Sequence, residues 1–446
     1  MVSKVLLVGA GAREHAIAEN LKRSGAEIYA VMKHRNPGIA RIAEEYVVGN
    51  HDSPEFVRNL KWVKNRMVDI AFVGPEVPLI NGMADALMSE EVPVVGPTRA
   101  AAEIEGSKAF MRDLMQRHGI EGAVEYRIFE DAKEVKKFLL DFDRPFVVKP
   151  VGVTGGKGVW VMGEHFKTPE EGADYAVNII ENGIGGTKKV LIEEKLVGEE
   201  FTLQVFTDGK NAVPMPLVQD FKRAYEGDKG PNTGGMGSYS MENHLLPFVD
   251  ENEYEKALKI LKEIIEAMRK EGREYRGIMY GQFMLTANGP KVVEVNCRFG
   301  DPEAMNVLSI LDSNLVDIGY SIVNGTLKND VSFENMATVV KYIVPEGYGT
   351  SSVADGQVIS VNERKIQSVG ANVYYASVHE KDGNLYTTTS RAVAIVGIGK
   401  TVEDAESVAE RGLEFVSGKV YFRRDIAKKE VLENKVRKMK ELRGLV

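Results

Sequence analysis

Four short apolar runs recur in the first hundred residues: KVLLVG (4–9), EIYAVM (27–32), IAFVG (70–74) and VPVVG (92–96), with helical patterns between them. Continuous apolar strands alternating with helices demand a parallel sheet covered on both faces, because each return to the sheet needs a crossover helix. Residues 1–103 are therefore expected to form an open α/β domain, whose strand ends face a ligand crevice. The first run leads into Gly9, Ala10 and Gly11 and then straight into a helix. Such a glycine turn lets a phosphate approach the amides of a helix N-terminus. The third glycine of a dinucleotide fingerprint would fall at position 14, which is Glu14, and the second strand ends in Lys33, His34 and Arg35 rather than in an acid for the ribose. These departures favour a small phosphorylated ligand over a nicotinamide dinucleotide, with Gly9, Gly11, Arg13, Glu14 and Glu76 as its contacts. The alternative is a tight turn needed only for packing.

The pattern then changes. Residues 96–120 read as a helical transition. From roughly 125 to 320 short strands carry hairpin signals such as Asp208-Gly209 and Asn288-Gly289, which argue antiparallel pairs in an α+β region. About 326–446 adds further strands, a helix opened by Thr401 and Asp404, and a lysine-rich end expected to form a solvated helix. A chain of 446 residues exceeds one compact core, so two to four domains are expected. The net charge of −8 gives no general attraction to nucleic acid or acidic membrane. One cysteine, Cys297, excludes an internal disulfide framework and suits a reducing compartment. With neither a leader-like start nor a bilayer-length apolar run, a cytoplasmic protein is expected.

VVKPVGVTGGKGVWVM (147–162) sets Lys149 at a strand end before a loop containing Gly155, Gly156, Lys157 and Gly158. The Walker spacing is absent and no helix follows, so a strand–glycine loop–strand lid over phosphates is the better reading. VLIEEKLVGEE (190–200) then offers Glu193, Glu194, Lys195 and Leu196 as a linker for an adenine edge, and Glu200 as a carboxylate for ribose hydroxyls. Charged turn residues that are simply solvated would look the same. GQFMLTANGPKVVEVNCRFGDPE (281–303) alternates Phe283 and Leu285 with Gln282 and Met284, and Val293 and Val295 with Glu294 and Asn296. A plain Asn288-Gly289 turn would set Phe283 against Glu294. A longer loop or a bulge is therefore expected, pairing Gln282 with Glu294 and Phe283 with Val293. Gln282, Glu294 and Asn296 would then form an all-oxygen set suited to Mg²⁺ or Mn²⁺. Cys297 falls on the apolar face as an inert core thiol.

QDFKRAYEGDKGPNTGGMGSYS (219–240) concentrates Asp220, Lys222 and Arg223 before a loop rich in Gly and Asn, a second anion-handling surface that includes Thr233, Gly234 and Gly235. With GAGAREHA, GPEVPL, EGSKAF, KPVGVTGGKGV, EEKLVGEE, EVNCRFGDPE and VYFRRDI, in that order along nearly the whole chain, it resembles the phosphoribosylamine–glycine ligase (glycinamide ribonucleotide synthetase) family of ATP-grasp enzymes. The resemblance implies an α/β and α+β multidomain fold: an N-terminal α/β domain (1–103), an ATP-grasp core (104–325) with a lid at about 125–192, and a small C-terminal α+β domain (326–446). It implies an ATP-dependent ligase of purine biosynthesis that joins glycine to 5-phosphoribosylamine through glycyl phosphate. Lys108 and Lys149 would contact ATP phosphates, and Asp220, Lys222, Arg223 and Arg298 would position glycine, the acyl phosphate and the sugar phosphate. Partners are small molecules, without nucleic acid or membrane, on a monomer or weak homo-oligomer. Phe221 stands where many relatives carry His, and Pro150 where Ala is common. The rivals are an ATP-grasp ligase for another acid or amine, a dinucleotide-dependent oxidoreductase, and a non-catalytic nucleotide sensor.

Overall fold

The computed structural model describes residues 2–154 and 158–445. Strands β1 (Lys4–Val8), β2 (Glu27–Met32), β3 (Glu45–Val48), β4 (Ile70–Val73) and β5 (Val94–Val95) form a sheet in the order β3-β2-β1-β4-β5. Every neighbouring pair is parallel. Val5 to Val8 are fully buried, as a strand covered on both faces must be. β3, an edge strand, alternates half-buried and exposed residues, so a search for apolar runs passes over it. The order reverses between β1 and β4, and the loops after these two strands flank the switch-point crevice.

β6 (Tyr126–Phe129), β7 (Phe146–Pro150), β8 (Trp160–Val161) and β9 (Val190–Glu194) form an antiparallel sheet in the order β6-β9-β7-β8. Helices Ala132–Leu140 and Pro169–Asn182 close over it around a separate core that includes Val135, Phe146, Phe166, Ala176 and Ile192. The second helix begins at a Thr168/Glu171 capping box and ends at Gly183, whose φ of 65° suits glycine.

β10 (Glu199–Thr207), β11 (Ala212–Pro214), β12 (Gln219–Tyr225), β13 (Lys229–Ser240), β14 (Gly277–Thr286) and β15 (Gly289–Asn296) follow. The sheet β11-β10-β14-β15 carries the expected oxygen-bearing hairpin. Gln282 does stand opposite Glu294, but the turn is Ala287-Asn288, and Phe283 faces Val292 instead of Val293. Val293 is the extra residue of a β-bulge. The bulge brings two successive carbonyls, Val292 and Val293, onto one guanidinium, Arg112, at 2.8 and 2.9 Å. A regular strand would point them apart.

β16 (Ala337–Pro345), β17 (Val358–Val361), β18 (Asn372–Tyr375), β19 (Val378–Lys381), β20 (Asn384–Thr387), β21 (Val393–Gly399) and β22 (Val416–Gly418) complete the chain's main strands. β16 pairs with β13, so the sheet β12-β13-β16-β21-β18 draws strands from both sides of residue 326. The order β19-β20-β17-β22 makes a smaller sheet. Thr401 caps the following helix, its hydroxyl accepting the Asp404 amide at 3.2 Å.

Two expectations are corrected here. The terminal helix, Lys429–Leu442, is not simply solvated: it buries Leu432 and Met439, and Lys435 and Lys438 bind the Glu199 carboxylate at 3.1 and 2.7 Å. Nor do the basic residues after β2 line a phosphate site. Arg35 pairs with Glu380, His34 bonds the Ala376 carbonyl at 2.9 Å, and Lys33 lies 3.7 Å from Asp52. Two of the three fasten the first sheet to the last domain.

Candidate active site

Lys149, at the end of β7, reaches Glu193 on the neighbouring strand, Nζ to Oε2 at 2.6 Å. Arg112, from the helix Lys108–Arg117, donates Nε to the other oxygen at 2.6 Å. Burial alone would raise the Glu193 carboxyl, but the charges and hydrogen bonds of Arg112 and Lys149 outweigh it and hold the group at about 2. The Glu193 side chain is thus spent on ion pairs, which leaves its backbone as the part available to the linker role expected of it. Glu194 accepts the Glu125 amide at 3.0 Å, Lys195 donates from Nζ to the Met162 carbonyl at 2.8 Å, and Leu196 is half-buried. Lys108 donates to the Gly152 carbonyl at 2.7 Å, at the base of the glycine loop. Of that loop, Gly155, Gly156 and Lys157 lie outside the described residues, and Gly158 accepts the Tyr175 hydroxyl at 3.0 Å.

Facing this cleft, β12 presents Asp220 and Lys222 on one side and Phe221 on the other. Lys222 Nζ lies 2.5 Å from Glu200 Oε2 and 3.9 Å from Asp220, and Gln282 donates to the same Glu200 oxygen at 2.6 Å. Glu200 therefore joins the hairpin cluster. Asn296 donates to Glu294 Oε1 at 3.0 Å. Burial would raise Glu294, yet Lys222, Asn296, Lys108 and Lys149 together lower it. For Asp220 burial wins, with Glu303 and Glu200 adding to it against Lys222, and its carboxyl rises to about 7. Lys222 is raised: burial opposes its charge, but Asp220, Glu200 and Glu294 favour it.

Among the described residues no group of three His, Cys, Asp or Glu side chains is placed to hold an ion. Gln282, Glu294 and Asn296 still fit a hard divalent cation. Each amide spends its nitrogen on a carboxylate, which leaves its oxygen as the donor, and all-oxygen ligation suits such ions. Arg223 departs from expectation. A register shift separates it from Phe221, and its guanidinium goes to Glu164 and the Gly230 carbonyl rather than towards Asp220. Phe221 is buried, with Arg423 and Lys435 each 5.1 Å from its ring, so the position has no polar role at the site.

The switch-point crevice is built around a carboxylate. Glu14 is buried, and its Oε2 accepts the Gly11 amide at 2.6 Å. A Cβ at Gly9, whose φ is +136°, or at Gly74 would stand 2.3 or 2.2 Å from Glu14 atoms. The glycines thus make room for an internal acid, and the Gly11 amide is not free for a phosphate as expected. Two cations stand beside it, each already paired with a carboxylate. Arg13 donates to Glu14 at 2.5 Å and to the Phe299 carbonyl at 3.1 Å. Arg298 is clamped by Glu76 and Glu105, each at 3.1 Å. Burial would raise Glu76, but Arg298 and Arg13 hold it at about 2. Glu105 also accepts the Cys297 amide at 2.6 Å. Next to these, Thr233 bonds the Lys222 carbonyl at 2.8 Å and receives the Gly235 amide at 3.1 Å. Gly234 donates to the Tyr348 hydroxyl at 3.3 Å.

Sequence reasoning missed Arg112, Glu105, Asp301 and Arg391. Glu105 and Asp301 stand inside motifs already singled out, EGSKAF and RFGDPE, and could have been found there. Arg112 and Arg391 sit in unremarkable stretches and are brought in only by folding.

Both depressed carboxylates carry a pH signature. Their folded values lie below the ordinary value of 4.5, so their stabilisation is present above that pH and is lost as pH falls towards 2. For fully buried Glu193 this amounts to about 3 kcal/mol. Thermal melts between pH 6 and 2.5 should show the midpoint falling steeply below pH 4.5 in the parent and less steeply in Glu193→Gln. Parallel curves would show that Glu193 contributes nothing to the acid limb.

Comparison with known proteins identifies the family. Sequence models of the phosphoribosylglycinamide synthetase N, ATP-grasp (A) and C domains match residues 3–105, 106–304 and 338–429. The chain belongs to the phosphoribosylglycinamide synthetase family. A phosphoribosylamine–glycine ligase of Pyrococcus horikoshii is 51% identical over 439 residues, covering 98% of each chain. One from Methanothermobacter thermautotrophicus is 50% identical over 441 residues, covering 99% of this chain and 100% of the relative. The crystal structure of the Thermotoga maritima phosphoribosylamine–glycine ligase superposes with a TM-score of 0.81 at 27% identity, covering 95% of this chain and all of that one. A biotin carboxylase domain from Hydrogenobacter thermophilus, solved with MgADP, shares the fold at TM-score 0.75 and 18% identity, covering 99% of this chain and 98% of that one. The family members thus have an N, an ATP-grasp and a C domain, as this chain does. No helix among the described residues is long and apolar enough to cross a membrane.

Proposed function

We propose that this chain is a phosphoribosylamine–glycine ligase, converting ATP, glycine and 5-phosphoribosylamine to ADP, phosphate and glycinamide ribonucleotide. The observation that carries the reading is the convergence of Lys149, Lys108 and Lys222 on Glu294, beside a crevice where Arg13 and Arg298 meet, in a chain half identical to enzymes of that name over nearly its full length.

The γ-phosphoryl group passes from ATP to a carboxylate oxygen of glycine, and ADP leaves. The amine of 5-phosphoribosylamine then attacks the carbonyl carbon of glycyl phosphate, inorganic phosphate departs with the electrons of the broken C–O bond, and the nitrogen gives up a proton. No enzyme nucleophile is needed, and burial pushes the Cys297 thiol far from reactivity. Catalysis then rests on charge stabilisation and positioning. Lys108 and Lys149 hold the phosphates from below the lid, and the backbone of Glu193–Leu196 borders the base. Gln282, Glu294 and Asn296 would hold a hard divalent cation, Mg²⁺ or Mn²⁺, which an all-oxygen set suits. A cation bound there would offset phosphate charge. Asp220 and Lys222 position glycine and the acyl group, while Arg298, Arg13 and Glu76 receive the sugar phosphate and its amine. Arg223 acts by tying the lid to the core through Glu164. We place the enzyme in the cytoplasm, as its single buried thiol suits a reducing compartment, and take it to act as a monomer or weak homo-oligomer on small molecules alone.

The test is ADP release with ATP, Mg²⁺ and glycine, with and without freshly formed 5-phosphoribosylamine. Release that needs both substrates, with glycinamide ribonucleotide appearing in step, is expected. Release with glycine and a different amine alone would overturn the substrate assignment.

A further inference from the structure

Arg391, between β20 and β21, reaches out of the C domain into the site. Its Nη1 donates to the Gly234 carbonyl at 2.6 Å, the Gly235 carbonyl at 3.2 Å and the Asp301 carbonyl at 3.1 Å. Its Nη2 lies 3.1 Å from Asp301 Oδ2, and the guanidinium stacks 4.3 Å over the Tyr342 ring. Tyr342 completes the arrangement by donating to Asp301 Oδ1 at 2.6 Å. Two successive carbonyls turn to one nitrogen because Gly235 adopts φ +109°. A Cβ there would stand 2.9 Å from Pro302 and 3.4 Å from Arg391 Nη1. The glycines of GPNTGGMG and the acid of RFGDPE are thus held in one register by a single planar fork. This assembly borders the switch-point crevice. Asp301 Oδ2 lies 3.9 Å from where a Cβ on Gly11 would be, and the Asp301 charge acts on Arg13 together with those of Glu76 and Arg298.

We infer that Arg391 is a positioning residue for the phosphosugar amine: through Gly234, Gly235 and Asp301 it sets the wall against which that substrate is aligned. The inference rests on the ligase reading above. A planar fork making four polar contacts cannot be replaced by a point charge, so Lys at this position keeps the charge and loses the register. Misplacement on the order of 1 Å costs a reaction about 100-fold.

Full-length Arg391→Lys and Tyr342→Phe test it, by steady-state kinetics with ATP, glycine and 5-phosphoribosylamine varied in turn. Arg391→Lys should lose about tenfold or more in kcat/KM for the amine, with KM for ATP and the thermal midpoint nearly unchanged. Tyr342→Phe, which removes one contact to Asp301, should move the same parameter less. Equal losses for all three substrates, or a lowered midpoint with unchanged kinetics, would make Arg391 merely structural and overturn the proposal. Unchanged amine kinetics in both variants would do so too. A parent enzyme without amine-dependent ADP release would instead refute the ligase reading, a result read before either variant is compared.

Discussion

Glu294→Gln is expected to abolish turnover while leaving the fold standing. The substitution is isosteric and keeps the Asn296 contact in reach, but it removes the one formal negative charge among the three hairpin groups that face Lys222, Lys108 and Lys149. On the proposed reading that charge is what lets the hairpin hold a cation, since amide oxygens alone are weak ligands for a divalent ion. Losing the ion removes charge stabilisation at the transferring phosphoryl group, where a single electrostatic contact is worth about 10²–10³ in kcat. A loss of about 10³-fold or more is therefore expected in ADP release at saturating substrates. Stability should change little, because Lys149 keeps Glu193 and Lys222 keeps Glu200. Near-normal ADP release from a protein with an unchanged thermal midpoint would remove Glu294 from the cation set.

Arg112→Ala carries the largest expected effect on stability. The Arg112 side chain is almost wholly buried and bonds three partners from two segments: Glu193 on β9, and the Val292 and Val293 carbonyls at the β15 bulge. Its removal strands two carbonyls and leaves Glu193 with Lys149 alone. Breaking a buried pair in this way costs about 3–5 kcal/mol. The cost has two origins that can be separated. Arg112→Lys keeps a charge beside Glu193 but cannot serve both carbonyls, so it should recover the ion-pair part of the loss, whereas Glu193→Gln added to Arg112→Ala strands the buried Lys149 cation and should deepen it. Thermal or denaturant unfolding of the single and double variants measures both parts. A single variant within 1 kcal/mol of the parent would show that water replaces the guanidinium at no cost.

Much of the architecture was legible before folding. The continuous apolar runs of β1, β2 and β4 announce a sheet covered on both faces, since no half-exposed strand tolerates them. β3 was not, because an edge strand needs only one apolar face and the apolar run in EYVV is just three residues long. The polar alternation at Gln282, Glu294 and Asn296 announced a site because period two puts such residues on one face. That same alternation could not locate the extra residue. A longer turn and a bulge at Val293 restore the same phase, and only Arg112, held on a helix far away in the chain, favours the bulge.

Residue types and their local spacing decided what groups the site holds: lysines at strand ends, oxygen donors two apart, glycines where a backbone must pass close. Those properties depend on neighbours within a few positions and survive in the sequence. Pairings between distant segments decided the rest. Glu193 goes to Arg112 and Lys149, Arg223 to Glu164, and Lys33 to Arg35 to contacts elsewhere. A charged side chain is committed by whichever opposite charge the packed chain brings within hydrogen-bond reach, and that partner lies tens to hundreds of residues away.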